Sequence, residues 1–144
     1  MKGKYMGNRA IIMTKEKDIG IYVHWNGGID SVTAFLKYCE LREFRDDDYG
    51  IARLTQVIAN FFGGGLSIGV TAHPETYVRG CDNGAYIIDK WKIVEHVHMD
   101  ENGNYIPCDV EFHEGYNITD MLIDIDDCQH YGDRLGEEKI REAM

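Results

Sequence analysis

The 144-residue chain contains only two prolines. No apolar run in it approaches the ~20 residues that a membrane-crossing helix needs. Scarce proline, with a hydrophobic share of 44%, excludes a proline-rich disordered tail and argues for one packed globule. The N-terminus, Met-Lys-Gly-Lys-Tyr-Met-Gly, is basic but leads into no apolar core. It does not read as a secretory signal, and a cytoplasmic location is expected. The four cysteines, Cys39, Cys81, Cys108 and Cys128, form no Cys-x-x-Cys pair. Free thiols are expected rather than a disulfide framework.

Positive charge is scarce in the second half. Residues 1–45 carry eight Lys/Arg against five Asp/Glu, whereas residues 100–138 carry twelve Asp/Glu and one basic group, Arg134. A duplex-binding protein needs many cations to displace counterions from phosphates, so the net charge of −10 disfavours a direct grip on nucleic acid. Two partner classes remain. One is a small anionic, nucleotide-like ligand near the basic N-terminal part. The other is a basic protein surface, even one that normally holds nucleic acid, meeting the acidic region.

Catalytic signatures are missing as well. There is no Gly-x-Ser-x-Gly elbow, no Gly-x-x-x-x-Gly-Lys-Ser/Thr and no complete Gly-x-Gly-x-x-Gly. His96 and His98 share one face of a strand, but a metal site needs three or four converging ligands, so neither metal nor cofactor is expected. A Cys–His pair remote in sequence is left open, although Cys39 and Cys128 fall on apolar helix faces where inert thiols are usual. Asp124, Asp126 and Asp127 lack the calcium-loop pattern and read as the wet face of a helix. A non-enzymatic binding protein is therefore expected, with a small nucleotide-modifying hydrolase as an alternative.

What is present is a regular alternation of strand and helix signals. Residues 9–14 and Ile19–Trp25 suit two strands joined by the charged turn Lys15–Asp18. In the second, Ile19, Ile21, Val23 and Trp25 share one face. Asn26-Gly27-Gly28 breaks it, and Asp30 or Ser31 caps a helix carrying Val32, Phe35, Leu36 and Cys39 at three-and-four spacing. Asp46–Asp48 opens a second helix that Gly63-Gly64-Gly65 ends. Strand patterns follow at 66–72, at 85–98 as the longest single strand, and at 105–112 after the turn Glu101–Asn104. Thr119 caps a last helix with Met121, Leu122, Ile125 and Cys128 on its apolar stripe. The order β-β-α-α-β-β-β-α predicts a single α+β domain: an antiparallel sheet with about three helices packed mainly on one face. Residues 1–8 and 130–144 are expected to be loose ends.

The candidate ligand end is the turn Asn26-Gly27-Gly28. It joins a strand to a helix start, where backbone N–H groups and the helix dipole attract phosphate or carboxylate. His24 and Trp25 beside it offer a donor and a stacking face. A bland alternative is a tight connection that needs small residues, with Trp25 in the core. The other half of such a site must come from elsewhere: Arg9, Arg53 and Arg79 as cations, and Tyr22, Tyr77, Tyr86 and Trp91 as aromatics that, with Trp25, can stack a purine. A homo-oligomer is expected, because small chains close pockets at their interfaces.

Several segments carry a resemblance: Met6-Gly7-Asn8-Arg9-Ala10, Val23-His24-Trp25-Asn26-Gly27-Gly28 with Asp30-Ser31, Tyr49-Gly50-Ile51-Ala52-Arg53-Leu54, Asn60-Phe61-Phe62-Gly63-Gly64, and Asp82-Asn83-Gly84. Over Met6 to about Cys128 the chain resembles a family of small accessory proteins encoded in phages and prophages of Gram-positive bacteria. The resemblance implies a context and no residue roles: small phage proteins of this kind often counter host defence. Joined to the anion-competent turn, it leads to the expectation of an anti-defence protein that sequesters a small nucleotide-derived immune signal, of cyclic nucleotide or cyclic ADP-ribose type.

Overall fold

A computed structural model describes residues 8–108 and 111–144. Six strands, β1 (Ala10–Thr14), β2 (Gly20–Val23), β3 (Ile68–Thr71), β4 (Ala85–Asp89), β5 (Lys92–Met99) and β6 (Tyr105–Pro107), form one sheet in the order β3-β2-β1-β4-β5-β6. The helices are α1 (Ile29–Leu41), α2 (Asp48–Phe62), α3 (Ile118–Asp127) and α4 (Glu137–Ala143), with 3₁₀ segments at Pro74–Gly80 and Tyr131–Asp133. The domain is α+β, with more helices among the described residues than the three expected. The sheet is mixed rather than purely antiparallel. The chain leaves β2 through α1 and α2 to form β3 on the outer side of β2. It then crosses by the 3₁₀ segment Pro74–Gly80 to the far side of β1, where β4 pairs with β1 in parallel, Ile12 beside Tyr86.

Alternation along the strands divides the core into two layers. Ala10, Ile12, Ile21, Val23, Tyr86 and Ile88 face the helices and pack with Phe35, Leu54, Ile58, Leu122 and Ile140. Ile11, Met13, Ala85, Ile87 and Val97 point to the opposite face, where Val78 of the 3₁₀ segment and Cys81 cover them. Local chemistry sets the helix ends. Asp47 accepts from the N–H groups of Tyr49 and Gly50 at the start of α2, and Gly63 closes it at φ 82°, a left-handed conformation that glycine adopts without strain. Asn117, not Thr119, caps α3 by accepting from the Asp120 N–H. Gly28, which has no capping side chain, occupies the cap position of α1.

Two segments depart from expectation. The single strand at 85–98 is a hairpin, β4 and β5, turning at Lys90 and Trp91 with φ 51° and 64°. Neither residue favours that backbone conformation. The turn is held because the Trp91 indole is buried and its N–H donates to the Phe44 carbonyl at 3.0 Å. The segment 130–144 is not a loose end. Asp126, buried on α3, accepts from the Tyr38 hydroxyl at 2.5 Å and from the N–H groups of Leu135 and Gly136 at 2.8 and 2.9 Å. Arg134 donates to the carbonyls of Gln129 and Asp127, and Ile140 of α4 is 0% exposed. The expectation for residues 1–8 falls mostly outside the described residues; Asn8 itself donates its N–H to the His24 carbonyl at 2.9 Å.

Candidate functional site

The Asn26-Gly27-Gly28 turn serves the fold's own needs. The Gly27 N–H donates to the Asn8 carbonyl at 2.8 Å, and the Gly27 carbonyl accepts from the Tyr86 hydroxyl at 2.7 Å. A Cβ at Gly27 would stand 2.5 Å from the Asn8 oxygen and 2.9 Å from Ala10 Cβ, so glycine is required for the backbones to approach. Asn26, at φ 56°, turns its side-chain amide onto Ser31 Oγ at 3.1 Å. Asp30 places a carboxylate in the first turn of α1, which satisfies the positive end of the dipole and repels an incoming anion. The connection is thus the bland alternative, except that Trp25 is not in the core. Strand β2 ends at Val23, and the indole is 45% exposed.

Trp25 instead lines a groove on the sheet face that the α-helices leave free. Tyr22, His24, Trp25 and Tyr77 stand around it, with Leu66 to Gly69 and Thr71 along one side, enclosing about 580 Å³. That volume lies within the range of small-molecule sites. The aromatic groups are held against one another. The Tyr22 hydroxyl shares a 2.8 Å hydrogen bond with His24 Nδ1. The Tyr22 and Tyr77 rings are 5.8 Å apart, and the His24 ring meets Trp25 edge-on at 4.9 Å. Across the strand pair Tyr22 faces Gly69, where an added Cβ would meet nothing within 4 Å. The missing side chain leaves the flank of the Tyr22 ring open.

Arg9 lies on the same face, one residue before β1. Its backbone N–H and Nε both reach Asp82 Oδ1, at 2.9 and 3.5 Å. Burial pushes the Tyr22 hydroxyl above its ordinary pKa, with Arg9 pulling against the rise. Of the expected site residues, the fold therefore brings together His24, Trp25 and Tyr77, with Arg9 at their margin. Arg53 is not among them: it lies on α2, where it donates to the Tyr49 carbonyl at 3.0 Å. Arg79 extends the other way, toward Gly103 in the β5–β6 turn, where an added Cβ would be 3.9 Å from its Nη2. Tyr22, expected among the stacking aromatics, is at the groove too, while Leu66 and Gly69 were missed as site residues. The Tyr22–His24 alternation is visible in the sequence, but β3 as their neighbour is a matter of topology.

The other constellations separate. His96 is half-buried with its ring stacked on Tyr86 at 4.1 Å and its Nε2 against the Asn83 carbonyl at 2.8 Å, while His98 is exposed. They are not a matched solvent-facing pair. No cluster of three or more His, Cys, Asp or Glu that could hold a metal occurs among the described residues. Burial raises all four thiols above their ordinary pKa, Cys81 to about 11. None is activated as a nucleophile, which needs a depressed value.

The groove can offer a planar ligand stacking faces, an imidazole, a phenol and, at its margin, one partly neutralised guanidinium. No helix is long and apolar enough to cross a membrane among the described residues. No protein-family model, curated protein or solved structure matches this chain.

Proposed function

We propose that this protein is a non-enzymatic binding protein whose groove takes up a small planar, nucleotide-like molecule. The observation that carries the reading is the convergence of Tyr22, His24, Trp25 and Tyr77 around an open slot beside a strand position with no side chain. A heterocycle stacks between exposed aromatic rings with about 1–3 kcal/mol per base. Its anionic part is directed toward His24 and Arg9 rather than toward the start of α1, where Asp30 stands. In the phage or prophage setting that the sequence resembles, such a protein counters host defence by sequestering a nucleotide-derived signal.

Calorimetric titration with cyclic dinucleotides and with cyclic ADP-ribose isomers tests the reading. Saturable heat with at least one is expected, and flat titrations with all of them would overturn it. The acidic-inhibitor reading keeps one supporting observation: Asp120, Asp124 and Asp127 are exposed along α3. Its test is charge reversal at Asp124 and Asp127 with Asp126 left intact, because Asp126 is a buried structural anchor. A complex with a basic effector is then expected to weaken and to be salt-sensitive.

A further inference from the structure

We propose that β3 pairs edge to edge with the β3 of a second copy of this chain, about a two-fold axis at Gly69. Among the described residues β3 is the terminal strand of the sheet, bonded to β2 alone. The phase of its hydrogen bonds follows from the His24 N–H, which donates to the Ser67 carbonyl at 2.9 Å. In an antiparallel pair the bonding residues alternate. Ser67, Gly69 and Thr71 therefore spend their backbone groups on β2, and the N–H and C=O groups of Ile68 and Val70 point outward.

Folded proteins blunt such an edge with charge, proline or shortness. The two edges of this sheet differ on that count. β6 is three residues long, ends on Pro107 and follows a turn bearing Asp100 and Glu101. Around β3, residues 63–73 contain no charged residue and no proline. Leu66 is fully exposed there, and Val70 is 58% exposed.

The occupant follows from charge and register. At a net charge of −10, two copies repel across most faces they could present, and the neutral strip along β3 is where they meet without opposing carboxylates. Antiparallel pairing of Ile68 with the partner's Val70 places Gly69 against Gly69. That pair is non-hydrogen-bonded, with Cα atoms about 4.5 Å apart, and no side chain crowds it. The edge is therefore complementary to itself. The same register runs the two grooves together, with one Tyr22 on each side of the glycine pair. This last consequence rests on the groove being the binding site; the pairing does not.

Sedimentation velocity on the full 16.5 kDa chain across micromolar concentrations tests the pairing. Val70→Pro removes an outward N–H at an edge position where proline is tolerated, and Val70→Asp adds like charge on both sides of the axis. Val94→Asp, at a 52% exposed valine of β5, is the control. Wild type and Val94→Asp are expected at twice the monomer mass, and Val70→Asp at the monomer mass with its far-ultraviolet circular dichroism unchanged. Val70→Pro is expected to behave like Val70→Asp. A monomeric wild type at all concentrations, or a folded Val70→Asp that keeps the doubled mass, would overturn the pairing. Tyr77→Ala separates the two proposals: it is expected to lose the ligand and keep the doubled mass.

Discussion

The two faces of the sheet start from the same alternating strands and end in different states. On one face α1 and α2 lie across the strands with α3 and α4 beyond them, and Ala10, Ile12, Ile21, Val23, Tyr86 and Ile88 are buried beneath them. On the other, the main cover among the described residues is a 3₁₀ segment of seven residues, Pro74–Gly80, with Cys81 after it. That segment shields Ile11, Met13, Ala85, Ile87 and Val97 near the middle of the sheet. Toward β2 and β3 it reaches only as far as Tyr77, so Tyr22 and His24 keep an open side. The difference is one of length: a 3₁₀ segment of seven residues at about 2 Å per residue spans roughly 14 Å, or about three strands of a sheet. One face holds the fold, and the other has room for a ligand.

Substitutions can sharpen or break this contrast. Those on the helix face should cost stability and leave the groove intact; those in the groove should do the reverse. The largest stability effect is expected from Asp126→Ala, which strips buried partners from the Tyr38 hydroxyl and from the N–H groups of Leu135 and Gly136. At about 1–3 kcal/mol for each stranded donor, a loss of at least about 3 kcal/mol is expected in urea denaturation, with faster amide exchange in α4. Gly27→Ala should follow at about 1–3 kcal/mol, the usual range for overpacking, because its Cβ collides with Asn8 and Ala10. If Gly27→Ala abolished ligand binding in a chain that still folds, the turn and not the groove would be the site.

In the groove, Trp25→Ala is expected to weaken a stacked ligand about fivefold or more, from about 1–3 kcal/mol of lost stacking. Its denaturation midpoint should stay within about 0.5 kcal/mol of wild type, as for other exposed positions. Gly69→Phe should fill the slot and exclude the ligand, since its first carbon meets only open space. A stability loss larger than the affinity loss in either variant would break the division between the faces.

The smallest effect concerns His96. Burial holds its imidazole below the ordinary value of 6.5. The unfolded chain therefore takes up the proton first as pH falls, and stability declines from about pH 6.5 toward the lowered folded value. His96→Phe retains a ring against Tyr86 and should flatten the stability profile in that window. The Glu40 and Asp47 carboxyls, lowered by Lys37 and Arg45 respectively, act only at more acidic pH, where protonation removes their favourable partners. Unchanged pH dependence in His96→Phe would show that the imidazole is not the group responsible.

Much of this organisation was legible in the residues. The apolar periodicity of Val32 to Cys39 located α1, and Asp46–Asp48 and the triple glycine marked the two ends of α2. The β4–β5 turn was not legible, because Lys90 and Trp91 carry no turn signature and their backbone is fixed by the distant Phe44 carbonyl. Nor was the docking of 130–144, which depends on Asp126: a polar residue on a helix reads as solvent-facing until its partners 88 residues away and in the following loop are known. The site was half legible. His24, Trp25 and Tyr77 were identifiable as polar or aromatic groups near a strand end. That they meet beside Gly69 follows only from β3 pairing with β2 across an intervening stretch containing two helices.

The most direct test is calorimetric titration of cyclic dinucleotides and cyclic ADP-ribose isomers into wild type and into the Trp25→Ala/Tyr77→Ala double variant. Saturable binding to wild type and none to a double variant with an unchanged denaturation midpoint is the predicted result. Equal affinity in the two proteins, or no heat from either, would contradict the groove as the binding site.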